Sequence, residues 1–152
     1  METSKAIMTR KSVRNFKKAM ISQEIIDKLL RAGKYAPSAG GLQSQSFLVF
    51  TKTEDKQDLS LICYNQDFME NASAIIIVLV DEERIKRKYG VRGSFYAICD
   101  GAAAGQNILL IATDLDLGSC WIGAFDEGEL KRFLKTELKP VIVIPVGYED
   151  VI

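Results

Sequence analysis

The chain contains no histidine, and that absence narrows its chemistry more than any residue present. Without imidazole there is no Ser-His-Asp or Cys-His machinery, and a His-based zinc or non-haem iron site is excluded. Cysteine is scarce: Cys63, Cys99 and Cys120 stand far apart with no C-x-x-C spacing, which argues against a zinc or iron–sulfur site and leaves no metal to expect. An odd number of scattered thiols, with no segment that reads as a signal peptide, points to a reducing cytoplasm. Charge of either sign is not in surplus, since 20 Lys and Arg meet 20 Asp and Glu, so nothing in the net charge suggests a nucleic-acid partner. The longest apolar run, residues 72–80, is too short to cross a bilayer, so no membrane partner is expected. Repeats, low-complexity tracts and linkers are absent as well, and one domain over residues 1–152 is expected. An enzyme of this composition would leave the hard chemistry to a cofactor.

What is present is an ordinary globular composition, 47% hydrophobic and 26% charged, which excludes disorder and collagen-like structure. The charge balance conceals an asymmetry. Nine of the 20 basic residues but three of the 20 acidic ones fall at or before Tyr35, so an anion site is expected near the N-terminus. The pattern predicts helices over residues 3–9, from an N-cap at Ser22 to about Ala36, and over 54–62, 94–115 and 126–134, the last capped by Asp126. Pro37 limits the second helix, because a proline disfavours helical geometry in the residue before it. Strands are expected over 47–52, 74–80, 119–122 and 141–146, with 74–80 continuous and β-branched enough to be buried on both faces. The fold class is α+β, with helices flanking a central mixed, mostly antiparallel sheet of about four or five strands. Gly101-Ala-Ala-Ala-Gly105 leaves the longest helix almost without side chains, at roughly 1 kcal/mol for each glycine. Either the helix packs tightly on a neighbour in the same subunit, or it admits a second subunit or a flat ligand. Gly118 reads as its C-cap.

Three segments carry chemistry. In the first, Arg10, Lys11, Ser12 and Arg14 put three fixed charges and a hydroxyl within five residues. Guanidinium forks meet a phosphate bidentately and Ser12 adds a neutral donor; the alternative is a solvated basic turn. The second, residues 36–43, places Pro37, Ser38, Ala39, Gly40, Gly41 and Gln43 in a small-residue loop whose backbone can approach a ligand, with Ser38 and Gln43 as neutral donors and acceptors. The alternative there is a plain helix-to-strand turn. The third, residues 117–125, ends a strand in Gly123, so that a free backbone N–H stands beside aromatic bulk. Trp121 taken alone reads as core.

In this order the segments resemble the nitroreductase family of FMN enzymes. R-K-S-V-R-N-F at 10–16 is similar to the family's R-[RKH]-S-x-R-x-F, and residues 36–43 to its A-P-S-A-x-N-x-Q loop. Gln106-Asn107 matches its Q-N-x-x-L helix, residues 118–125 its G-x-x-x-W-I-G-x-F strand, and Pro145 to Tyr148 its closing P-V-G-Y. The resemblance implies a homodimer with FMN at the subunit interface and NADH or NADPH as reductant. By position, Arg10, Lys11, Ser12 and Arg14 would hold the phosphate and the pyrimidine edge of the flavin, with Lys11 or Arg14 as the cation near N1. Pro37, Ser38, Ala39, Gly40, Gly41 and Gln43 would line the ring system from the partner subunit. Ile122 and Gly123 would face the central ring, with the Gly123 N–H near N5, and no side chain acts as acid or base. The implied activity is hydride transfer through N5 to a small acceptor (nitroaromatic, quinone or flavin) by a ping-pong mechanism. A non-catalytic flavin- or nucleotide-binding protein, another flavin chemistry on the same fold, and a ligand-free scaffold are the rival readings. Gly41 stands where the family has asparagine, and Ser44-Gln45 where it often has Pro-Trp. Four residues follow Tyr148, so no counterpart is expected of the basic C-terminal segment with which many members help grip the phosphate.

Overall fold

A computed structural model describes residues 1–151. The chain runs through α1 (Thr3–Thr9), α2 (Gln23–Lys34), β1 (Gln45–Phe50), α3 (Thr53–Ile62), β2 (Ala74–Val80), α4 (Glu82–Tyr89), α5 (Gly93–Asp114), β3 (Gly118–Ser119), α6 (Glu127–Leu134) and β4 (Lys139–Gly147). Short 3₁₀ segments lie at Ala39–Gly41, Asp67–Asn71 and Gly90–Arg92. The four strands form one sheet in the order β1-β2-β4-β3, every neighbour antiparallel. Among the described residues, parallel pairing is confined to an isolated bridge between Ser12 and Ser119.

Alternation along β2 splits the interior into two layers. Ala74, Ile76 and Val78 face α2 and α5 with Leu29, Ala104 and Ile108. Ile75, Ile77 and Leu79 face the other way, onto Leu59, Met69 and Leu130 under α3 and α6. Every residue of β2 is buried, as its unbroken apolar sequence requires, because successive side chains point to opposite faces and both are covered.

Several boundaries follow the expected chemistry. The Ser22 hydroxyl accepts from Ile25 N at the start of α2, and Asp126 accepts from Glu129 N at the start of α6. Residues 51–52 lie beyond β1, which begins two residues earlier than expected, at Gln45. α4 was not anticipated: of Glu82–Tyr89 only Ile85 is buried, so the apolar spacing that marks a helix is missing, although Asp81 caps it by accepting from Arg84 N at 3.1 Å. Gly118 is not the C-cap of α5. The helix ends at Asp114, the left-handed residue after it is Asp116 at φ 58°, and Gly118 is a buried strand residue.

The glycine–alanine stretch of α5 packs within the subunit. A Cβ on Gly101 would stand 2.9 Å from Val80 Cγ1 and 3.0 Å from Val141 Cγ2, and one on Gly105 would overlap Ile142. The two glycines let the helix axis approach β2 and β4, while Ala102 and Ala103 between them are half-buried. By length and hydropathy the stretch Glu82–Asp114 could cross a membrane. Here α5 is instead a core helix, burying nine residues from Gly93 to Ala112 on the fold.

Candidate active site

The basic loop is held against the sheet from two sides. Val13 N donates to Ser119 O at 2.9 Å, while Lys17 N donates to Tyr148 O and Asp150 N to Asn15 O, each at 2.9 Å. Val13 and Phe16 turn inward and are buried, which leaves Lys11, Ser12 and Arg14 exposed and Arg10 half-buried. Lys11 is engaged: its ammonium lies 2.8 Å from Glu149 Oε1. Arg10 and Arg14 form no ion pair among the described residues.

The loop and the third segment meet at Cys120. Burial pushes the Cys120 thiol above its ordinary value, and Arg14, a hydrogen bond with Ser12, and Arg10 pull in the opposite direction. The Ser12–Ser119 bridge sets the basic loop beside this part of the chain. β3 is shorter than expected, but its pairing to β4 continues irregularly. Cys120 N donates to Pro145 O at 3.2 Å, and Ile122 exchanges both backbone hydrogen bonds with Val143 at 2.9 Å.

Beyond that last pair the chain leaves the sheet. Gly123 is exposed, and its N–H meets no acceptor among the described residues. The nearest atom to a Cβ built there is Trp121 Nε1 at 3.9 Å, so the space in front of the backbone is open. Trp121 is 40% exposed rather than core, because it alternates outward between the buried Cys120 and Ile122.

Residues 37–43 lie against α4 and α5 instead. Gly40 and Gly41 adopt φ of 57° and 67° and Gln43 a φ of 48°, in the left-handed region that glycine enters without cost. A Cβ on Gly40 would also approach Lys88 Nζ at 3.0 Å. Ser38 Oγ accepts from Gln43 N at 3.0 Å, so this side chain closes the loop. Asp100, buried on α5, accepts from Ala39 N at 2.8 Å and from Ser44 Oγ at 2.7 Å. No hydrogen bond among the described residues joins this loop to residues 10–14. The Ser12–Ser119 bridge thus sets the basic loop beside the segment that leads to Ile122 and Gly123, whereas the loop from Pro37 to Gln43 is tied to Asp100 of α5.

The sequence profile of the nitroreductase family matches residues 7–66 and 56–148, which takes in the basic loop, the glycine loop and the strand. The chain belongs to the nitroreductase family. A relative in Archaeoglobus fulgidus, named "Putative NADH dehydrogenase/NAD(P)H nitroreductase", is 36% identical over 134 residues, covering 88% of this chain and 74% of the relative. The FMN reductase (NADPH) of Bacillus subtilis is 24% identical over 95% of this chain and 62% of its own length. Among solved structures, the NADPH:FMN oxidoreductase of Vibrio harveyi superposes with a TM-score of 0.87 at 23% identity, covering 98% of this chain and 69% of that one. At that identity the likeness speaks of the fold, and the fold is that of nitroreductases.

One residue of the site escaped sequence reasoning. Asp100 fixes two points of the glycine loop from a helix 56 residues further along the chain. Its only sequence signal was an acidic residue opening the side-chain-poor stretch of α5.

Proposed function

We propose that this nitroreductase-family protein is an FMN-dependent oxidoreductase that takes hydride from NADH or NADPH and delivers it to a nitroaromatic, a quinone or a free flavin. The observation that carries the reading is a set of donors that the Ser12–Ser119 bridge brings to one side of the sheet: the guanidinium groups of Arg10 and Arg14, which form no ion pair among the described residues, the Ser12 hydroxyl, and the Gly123 N–H, which meets no protein acceptor among them. The donor set fits FMN, because a phosphate monoester carries about −1.5 to −2 charge and accepts from several directions, while the ring needs open space beside a backbone donor. Relatives named as an FMN reductase (NADPH) and an NADPH-flavin oxidoreductase support it.

When bound, FMN supplies two-electron chemistry at its N5, and the reductant and acceptor react with it in turn. The rest is positioning by the chain. Arg10, Ser12 and Arg14 hold the phosphate and the pyrimidine edge. Lys11 contributes less, since Glu149 already neutralises it, so Arg14 is the better cation for charge that develops on reduction. Ile122 and Gly123 support the ring, and the Gly123 N–H donates toward N5. None of these roles asks a side chain to exchange a proton, which suits a chain without histidine.

Pro37, Ser38, Ala39, Gly40, Gly41 and Gln43 complete the site from a second copy, since within one chain they rest on α4 and α5. The protein is accordingly a homodimer, and a solution mass that stays near 16.9 kDa at micromolar concentration would count against it. Its three unpaired cysteines suit a cytoplasmic location. The deciding experiment is the absorbance spectrum of the purified protein before and after anaerobic NAD(P)H. A flavin spectrum that bleaches, and returns when a quinone or nitroaromatic is added, is expected. Uptake of FMN without bleaching would make this a passive flavin-binding protein, and no uptake at all a scaffold.

A further inference from the structure

The proposed redox site leaves one buried cation unused. Lys56, on α3, is 9% exposed, and its ammonium donates to the Ala72 carbonyl at 2.7 Å. That satisfies one of its three donors. No carboxylate among the described residues forms an ion pair with it, and a buried charge without a partner is costly. Burial and the neighbouring Lys18 both push its pKa down.

The group does not face packed interior. Lys56 lines a cavity of about 680 Å³, within the roughly 300–1,000 Å³ of small-molecule sites. Lys18 stands on the same wall, and so does Ser73, which is 6% exposed and whose hydroxyl has no hydrogen-bond partner. Ile21 and Ile26 supply an apolar side, and Glu70 is the one carboxylate of the lining. Arg10, Arg14 and Gly123 take no part in it.

We infer that this cavity binds a small organic monocarboxylate, with its carboxylate on Lys56 and Lys18 and its apolar body against Ile21 and Ile26. Two ammonium groups opposed by one carboxylate leave a single positive charge, which a monoanion neutralises. A phosphate dianion would overshoot and face Glu70. The Ser73 hydroxyl, on rotation, offers a third donor to the same head group, so a ligand would satisfy two polar groups of the lining that the fold leaves wanting.

Calorimetric titration of the purified protein with benzoate and hexanoate, against benzamide, hexanamide and inorganic phosphate, tests this. The carboxylates are expected to bind at least tenfold more tightly than the amides or phosphate. Lys56→Met should weaken benzoate at least tenfold, and Lys18→Ala, at an exposed side chain, severalfold. Arg14→Ala, in the proposed flavin site, should leave benzoate binding unchanged. Should Lys56→Met not fold, Lys18→Ala and the NMR titration of the Lys56 ammonium decide, since benzoate is expected to raise the pKa of that group. Equal affinity for acids and amides, an unmoved Lys56 titration, or loss of benzoate binding in Arg14→Ala each overturns the inference. None of these outcomes depends on whether the protein reduces a substrate.

Discussion

The Asp100 carboxylate spans two points of one loop, accepting from Ala39 N at 2.8 Å through one oxygen and from Ser44 Oγ at 2.7 Å through the other. A loop with three left-handed residues, Gly40, Gly41 and Gln43, has many conformations to lose. The buried carboxylate removes that freedom from a helix that is itself locked onto the sheet by Gly101 and Gly105.

Asp100→Ala is therefore expected to cost about 1.5–3 kcal/mol, because it strands a half-buried N–H and a buried hydroxyl that had a charged acceptor. The melting temperature should fall by several degrees, roughly 2–4 °C for each kcal/mol in a chain of this size. Asp100→Asn keeps one acceptor for Ala39 N and should lose less than half as much. A melting temperature unchanged in the alanine variant would show that the loop is held by its own turns.

Gly118 and Val13 form the tightest joint between the basic loop and the sheet. A Cβ on Gly118 would lie 2.8 Å from Val13 Cβ and from both its methyl groups, and a β-branched side chain cannot rotate out of the way. Gly118→Ala should therefore displace the Val13 backbone and carry Ser12 and Arg14 with it. The expected cost is about 1–3 kcal/mol of stability, together with weaker FMN binding. Full flavin affinity in a folded Gly118→Ala protein would mean that the loop adjusts independently of β3.

Arg14→Ala should weaken FMN by about tenfold to a hundredfold, the equivalent of roughly 1.5–3 kcal/mol for a desolvated charge-assisted hydrogen bond. Riboflavin, which lacks the phosphate, should lose less. Equal losses for the two flavins, measured by fluorescence titration, would move Arg14 from the phosphate to the ring.

The strand Ala74–Val80, the caps at Ser22 and Asp126, and the order of the three chemical segments could be read from the sequence, because each rests on local residue chemistry or an unbroken apolar run. Three features could not. α4 buries only Ile85, so its helical period is invisible. The destination of the glycine–alanine helix depends on which bulky residues face it, and Val80, Val141 and Ile142 come from strands that meet α5 only in the folded chain. The docking of the basic loop on the third segment needs the bridge from Ser12 to Ser119, a pairing of residues more than a hundred positions apart. Nor can spacing within residues 10–14 show that Glu149 turns back to meet Lys11.

The three thiols should separate by environment. Burial pushes Cys63 up to about 12 and raises Cys120 despite Arg14, Ser12 and Arg10, while Cys99 is exposed. At pH 8 a disulfide reagent should find Cys99 first and the other two only on unfolding. For Cys63 the folded value lies above the unfolded one, so its contribution to stability is complete below pH 9 and is lost as the pH rises toward 12. Arg14→Ala removes the largest of the influences that lower Cys120 and should raise that thiol further. Rapid labelling of Cys63 or Cys120 in the native protein would contradict both the packing and the charge placement.

Gly123 separates closeness from hydrogen bonding at the point where hydride is proposed to arrive. Its backbone lies outside the left-handed region and a Cβ meets nothing nearer than 3.9 Å, so Gly123→Ala should fold with unchanged stability. Any effect of the methyl must then come from a ligand that approaches the backbone. If the flavin ring lies in contact there, the alanine variant should hold less FMN at equal melting temperature. If only the N–H matters, the alanine variant should bind and turn over almost normally, because the donor is intact. Gly123→Pro deletes the donor and adds a ring, so it should be defective on either account. The donor is free of protein partners, which means that its loss costs the fold no hydrogen bond and a defect in the proline variant is a defect of the site. A proline variant with full flavin content and parental reduction by NAD(P)H would make Gly123 an ordinary strand-end glycine and remove the flavin from this edge of the sheet.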